Sequence, residues 1–84
     1  MNYHQLLLYA LSTCIHCKHA KEFLNSHGIK YDLTHVDLLS DDERVSALEE
    51  ILKYNPNLSF PTLIIDNGKH VIVGFREDDY KGLC

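Results

Sequence analysis

The 84 residues suffice for one domain with a modest core, and 45% apolar or aromatic against 24% charged residues is a globular rather than a disordered balance. A formal net charge of -4, from 12 acidic and 8 basic residues, provides no basic stripe for nucleic acid. No apolar run approaches the roughly 20 residues that span a bilayer, and the run 6–11 is too short, with no basic stretch before it, for a secretory signal. The expected setting is therefore cytoplasmic, where three cysteines do not make a disulfide framework and a C-x-x-C pair is catalytic or metal-binding.

Residues 5–10 read as a short buried strand, closed by Ser12-Thr13. Thr13 is suited to cap a following helix, which places Cys14 in the first turn. Cys17, Ala20, Phe23, Leu24 and His27 then recur at helical spacing, with Lys18, Lys21 and Glu22 directed to water and Gly28 as the left-handed terminator. Residues 29–37 alternate, with Ile29, Tyr31 and Leu33 on the inner side of a half-buried strand near a sheet edge. A strand–helix–strand run of this length forms a parallel, right-handed unit.

Ser40 and Glu43 form a capping box, in a first turn whose Asp41, Asp42 and Glu43 suit the helix dipole. Val45, Leu48, Ile51 and Leu52 are the expected buried stripe of this helix, stopped by Asn55-Pro56. Residues 62–65 and 70–73 flank Asn67-Gly68, a hairpin signal with the two positive-φ residues of a type I′ turn. Gly74 ends the last strand, and residues 77–83 supply about two helical turns. The order β-α-β-α-β-β-α specifies an α/β layer fold with a mixed sheet, a single domain over residues 1–84.

The chemistry concentrates in Cys14-Ile15-His16-Cys17. A thiol at a helix N-terminus faces unpaired amides and the positive end of the macrodipole, and both favour the thiolate, the nucleophile of disulfide exchange. Cysteines three residues apart on one helix share a face and can bridge. Cys14 is accordingly the attacking thiol and Cys17 the resolving one. His16, between them, can add a donor or positive charge beside Cys14, whereas Lys18 and Lys21 can add positive field or be no more than a solvated helix face. A zinc site is disfavoured, since no second C-x-x-C or spaced histidine pair completes four ligands. The histidines at 4, 19, 27, 35 and 70 read as surface residues, Tyr9 and Tyr31 as core, and Cys84 as a thiol without a role at a fraying end.

Cys14-Ile15-His16-Cys17 after the first strand, Phe60-Pro61-Thr62 before the third, and Gly74-Phe75-Arg76 after the fourth together resemble a glutaredoxin, over essentially the whole chain. The resemblance implies a thioredoxin-like three-layer fold with strand order 2-1-3-4. It also implies a cis bond at Pro61 facing the cysteines, with the Phe60 backbone pairing with an extended substrate. Thr13, His16 and Lys18 are then the residues that modulate the cysteines; Phe60, Pro61, Thr62, Gly74, Phe75 and Arg76 line the substrate side. Three positions depart from common glutaredoxins. Pro-Tyr between the cysteines is Ile15-His16, a lysine three residues before the first cysteine is Leu11, and a Gly-Gly pair is Gly74-Phe75. Gly-Phe-Arg is similar to the glutaredoxin-like redoxins that serve ribonucleotide reductase and take electrons from thioredoxin reductase.

The implied function is a dithiol thiol–disulfide oxidoreductase acting on disulfide-containing proteins or glutathione. Its reductant would be of thioredoxin-reductase or glutathione type, and it would act as a monomer without nucleic acid, membrane or metal. No cofactor is called for, because electrons pass from thiol to thiol. The alternative is a glutathione-dependent carrier of a [2Fe–2S] cluster, which Leu11 and Phe75 disfavour by altering the glutathione side.

Overall fold

The computed structural model describes residues 5–83, so the expectations for His4 and Cys84 lie outside the described residues. Strands β1 (Leu6–Ala10), β2 (Asp32–His35), β3 (Thr62–Ile65) and β4 (His70–Val73) form one sheet in the order β2-β1-β3-β4. Helices α1 (Ile15–Ser26), α2 (Asp41–Leu52) and α3 (Glu77–Lys81) complete it. β1 runs parallel to β2 and antiparallel to β3, and β3 runs antiparallel to β4. Element order, mixed sheet and strand order agree with the sequence reading.

The period of two along β1 divides the molecule into layers. Leu6, Leu8 and Ala10 are buried, and Leu6 and Leu8 lie opposite Ile65 and Leu63 of β3. With Ile72 of β4 they meet Ala20 and Leu24 of α1, Tyr80 of α3 and Leu83. Each fully buried leucine or isoleucine there contributes roughly 1.5–3 kcal/mol relative to an exposed one. The opposite face of β3 carries Thr62 and Ile64, both buried, and Asn55 just beyond α2 bonds Thr62. α2 therefore covers the second face, and β3, central and covered on both sides, is buried along its whole length.

Several local expectations need correction. α2 does not bury Val45 and Leu52, which are 55% and 46% exposed; Ile51 is its fully buried residue, with Arg44, Ala47 and Leu48 half-buried. The cause is Arg44, whose guanidinium donates to the carbonyls of Val36, Asp37 and Leu39 at 3.4, 3.4 and 3.0 Å. Those bonds turn its side of the helix inward, and a count of apolar residues cannot register them. β2 is shorter than the alternation suggested, and a 3-10 turn (Val36–Leu38) follows it. As an edge strand it leaves Leu33 40% exposed. Lys21 is half-buried, while His27 is exposed and stacks on Phe23 with ring centroids 4.0 Å apart.

The Ser40 box forms in half. The Glu43 amide donates to Ser40 Oγ at 3.4 Å, but the Glu43 carboxylate accepts the Ser40 hydroxyl at 2.8 Å rather than reaching back to a backbone amide. In the hairpin, Asn67 (φ 58°) and Gly68 (φ 97°) adopt the expected left-handed pair, with the Lys69 amide donating to Asp66 O at 3.3 Å. Asp66 is left-handed as well (φ 50°), so the ladder closes one residue further out, at Ile65 and His70.

Candidate active site

The C-terminal end of β1 delivers the chain to the cysteines. The Cys14 amide donates to Leu11 O at 3.3 Å, forming a tight turn through Ser12 and Thr13. α1 starts one residue later than expected, and its N-cap is Cys14 itself (φ -88°, ψ 123°), not Thr13, which is exposed. Cys14 Sγ occupies the place of a capping oxygen and accepts the Cys17 amide at 3.4 Å. Its thiol is thereby bound directly to the unpaired donors of the helix start.

The two sulfurs sit in opposite environments. Cys14 is partly exposed, whereas Cys17 is 0% exposed and accepts the Leu11 amide at 3.4 Å. Partial burial pushes the Cys14 thiol up. Hydrogen bonds from the Cys17 side chain, the Cys17 amide and the His16 amide outweigh that and hold it below the ordinary thiol value. Burial pushes Cys17 up to about 11, against the downward pull of the Leu11 amide; the neighbouring Cys14 raises it further and Lys21 lowers it. The backbone of His16, not its ring, reaches the Cys14 sulfur; the side chains of His16 and Lys18 are exposed.

The Phe60–Pro61 bond is cis, as the resemblance implied. Register places this segment against the cysteine loop, because Thr62 opens β3 opposite Tyr9, near the end of β1. Pro61 is buried and Phe60 half-buried. The Thr62 side chain is fully buried, its hydroxyl donating to Ser59 O at 2.7 Å, so its side chain faces the protein rather than a ligand. The Gly74 amide donates to Pro61 O at 2.8 Å and brings the third segment alongside, with Gly74 left-handed at φ 79°. Phe75 packs edge-on to Tyr80 at 5.0 Å and tilted against Phe23 at 6.2 Å. Arg76 is exposed and pairs with Asp79 at 3.1 Å.

Two supports escaped the sequence reading. Asn55, 1% exposed, donates to Ser59 O, Ser59 Oγ and Thr62 Oγ1 at 3.0, 3.2 and 3.0 Å and accepts the Asn57 amide at 3.2 Å. It ties down the loop that carries Pro61. Asp37 accepts both the Ser12 amide, at 2.9 Å, and the Ser12 hydroxyl, anchoring the cysteine loop to the turn after β2. An Asn before Pro reads as a helix stop, and Asp37 between Val36 and Leu38 reads as the end of the 29–37 strand, so neither carried a local signal. Among the described residues no cluster of three or more His, Cys, Asp or Glu could hold a metal ion.

Comparison with known proteins agrees with this geometry. Residues 6–71 match the glutaredoxin family model. Glutaredoxin 1 of Rickettsia bellii is 33% identical over 64 residues, which span 76% of this chain and 64% of that relative's length. The crystal structure of the glutaredoxin from Methanosarcina mazei superposes with a TM-score of 0.86 at 40% identity, over 94% of this chain and 76% of that one. Methanoredoxin of Methanosarcina acetivorans gives 0.88 at 37% identity, over 93% and 81%. A redox-type thiol pair at the head of a helix, a cis-proline segment beside it and these matches establish that the chain belongs to the glutaredoxin family.

Proposed function

We propose that this protein is a dithiol thiol–disulfide oxidoreductase that reduces disulfides in proteins or small molecules. Cys14 attacks, a mixed disulfide forms, and Cys17 displaces the product thiol. The observation that carries this reading is the division between the sulfurs: Cys14 partly exposed and held toward its thiolate by helix-start donors, Cys17 buried and held protonated. An exposed thiolate is what a first attack needs. A buried thiol one helical turn away reacts only once a mixed disulfide has been brought beside it.

The substrate lies along Phe60-Pro61 and Gly74-Phe75-Arg76, joined by the Gly74–Pro61 hydrogen bond. The reductant is of the thioredoxin-reductase type. Leu11 supports this, since it places an apolar side chain where many glutaredoxins present a lysine to a glutathione carboxylate. Phe75, fixed in an aromatic cluster with Phe23 and Tyr80, supports it too. The test compares insulin disulfide reduction driven by NADPH with thioredoxin reductase against that driven by glutathione with glutathione reductase. Turnover with the first supports the reading, turnover with the second alone overturns the reductant, and none with either overturns the activity.

A further inference from the structure

Lys21 Nζ lies 3.1 Å from His35 Nε2 at a half-buried position. An ammonium can only donate, so in this contact Lys21 Nζ is the donor and His35 Nε2 the acceptor. Three features place this contact beside the buried sulfur. His35 is the ladder partner of Ala10 across the parallel β1–β2 pair, a spacing of about 4.8 Å. Leu11, the next residue after Ala10, donates its amide to Cys17 Sγ. Lys21 follows Cys17 by four residues on α1 and so shares its face one turn on. Two residues beyond His35, the Asp37 carboxylate holds Ser12 of the cysteine loop.

We propose that Lys21, held in place by His35, is a positioning residue for the second half of the thiol exchange: its ammonium supplies positive charge to the Cys17 sulfur as that sulfur ionises to displace the product. The proposal rests on the dithiol reading above. In that step Cys17 gives its proton to water and its thiolate attacks the Cys14 sulfur of the mixed disulfide. The Cys14–Cys17 bond forms, the bond to the substrate sulfur breaks, and the electron pair leaves with the substrate thiolate. A buried thiolate without a counter-charge is costly, and Lys21 draws Cys17 down against its burial. Its geometry depends on His35, because a four-carbon stem carries large rotamer freedom unless its end is fixed.

The test separates the two half-reactions with an aryl disulfide whose thiolate is coloured, in a Cys84→Ser background. The first equivalent of aryl thiolate reports attack by Cys14, and the second reports displacement by Cys17. Without the lysine charge less of Cys17 is thiolate, and the gain in nucleophilicity of a more basic sulfur offsets only part of that loss, so the second phase of Lys21→Met slows several-fold. The first phase is unchanged, Lys21→Arg restores the second, and His35→Leu slows it in the same direction. In Cys14→Ser protein, Lys21→Met also raises the Cys17 pKa. A second phase in Lys21→Met at the parent rate overturns the role of Lys21, as does equal slowing of both phases. A parent protein that releases only the first equivalent overturns the dithiol reading itself, and that result appears before any lysine variant is made.

Discussion

Asn55 and Thr62, both buried, are joined by a 3.0 Å hydrogen bond from Asn55 Nδ2 to Thr62 Oγ1. Together with the Ser59 contacts, this bond fixes the chain that enters β3 through Pro61. Asn55→Ala leaves Thr62 Oγ1 and Ser59 O each short of one donor and opens space at the end of α2. The expected cost is about 1–3 kcal/mol, read as a lower urea midpoint. Disulfide reduction should fall as well, because the substrate-side loop is no longer tied. Full activity together with parental stability would show that Asn55 supports nothing.

The two thiols should titrate far apart. In Cys17→Ser the Cys14 thiolate, followed by ultraviolet absorbance, appears below the ordinary thiol value of 9.0, reduced in extent by loss of the Cys17 thiol as a donor. In Cys14→Ser, Cys17 titrates near the alkaline value of about 11, somewhat lowered once its sulfur neighbour is gone. Alkylation of the reduced protein at pH ~7 should therefore modify Cys14 well ahead of Cys17. Equal labelling of both would contradict the division on which the proposed mechanism depends.

The Ser12–Asp37 link gives the cysteine loop a pH dependence. The Ser12 hydroxyl and amide hold the Asp37 carboxyl below its ordinary value. A depressed carboxyl stabilises the fold above its unfolded value, about 3.9, and loses that contribution as pH falls through its folded one. Asp37→Asn should therefore be less stable than the parent at neutral pH, with the gap closing in acid. Urea midpoints at several pH values measure it, and a gap that does not change with pH would rule the linkage out.

How much of this was legible follows from the range over which each feature is encoded. The thiol pair, Gly28, Ser40 and Asn67-Gly68 are local codes, each specified within a few residues, and each forms near where the sequence places it. Strand order followed from the resemblance, and the inner face of β1 from its alternation. What stayed hidden depends on distant partners. Arg44 turns α2 by bonding carbonyls five to eight residues upstream, and Asp37 finds Ser12 across 25 positions. Lys21 reads as a solvated charge until β2 brings His35 to it, 14 residues away. Thr13 reads as the cap because cysteine is rarely counted among capping residues, although the Cys14 sulfur accepts an amide here.

Gly68 is a position at which only glycine fits. Its φ of 97° is strained for any side chain, and an added Cβ would lie 2.2 Å from Tyr54 Cε1. The Tyr54 hydroxyl donates to Asn67 O at 3.3 Å, so the ring is fixed where the Cβ would go. Gly68→Ala should cost more than about 1 kcal/mol. Adding Tyr54→Ala should not restore the parent, since the backbone strain persists. A Gly68→Ala protein with an unchanged melting temperature would mean that the turn is free to rearrange.

Tyr80 offers the opposite change, a gain from a deletion. Its ring is 0% exposed and lies edge-on to Phe23 and Phe75 at 5.8 and 5.0 Å, so the aromatic packing is already satisfied. Its hydroxyl is buried without a hydrogen-bond partner among the described residues. Burial, and then the charge of a Cys17 thiolate, both oppose ionisation of the phenol, so it stays neutral throughout the working pH range. A neutral donor stranded in this way costs about 1–3 kcal/mol of desolvation that nothing returns. Tyr80→Phe keeps the ring, its edge contacts and nearly all its volume while removing that one group. The expected result is a urea midpoint raised by an amount within that range at an unchanged slope, because the surface exposed on unfolding is nearly the same. A lower midpoint would mean that the hydroxyl has found an acceptor after all.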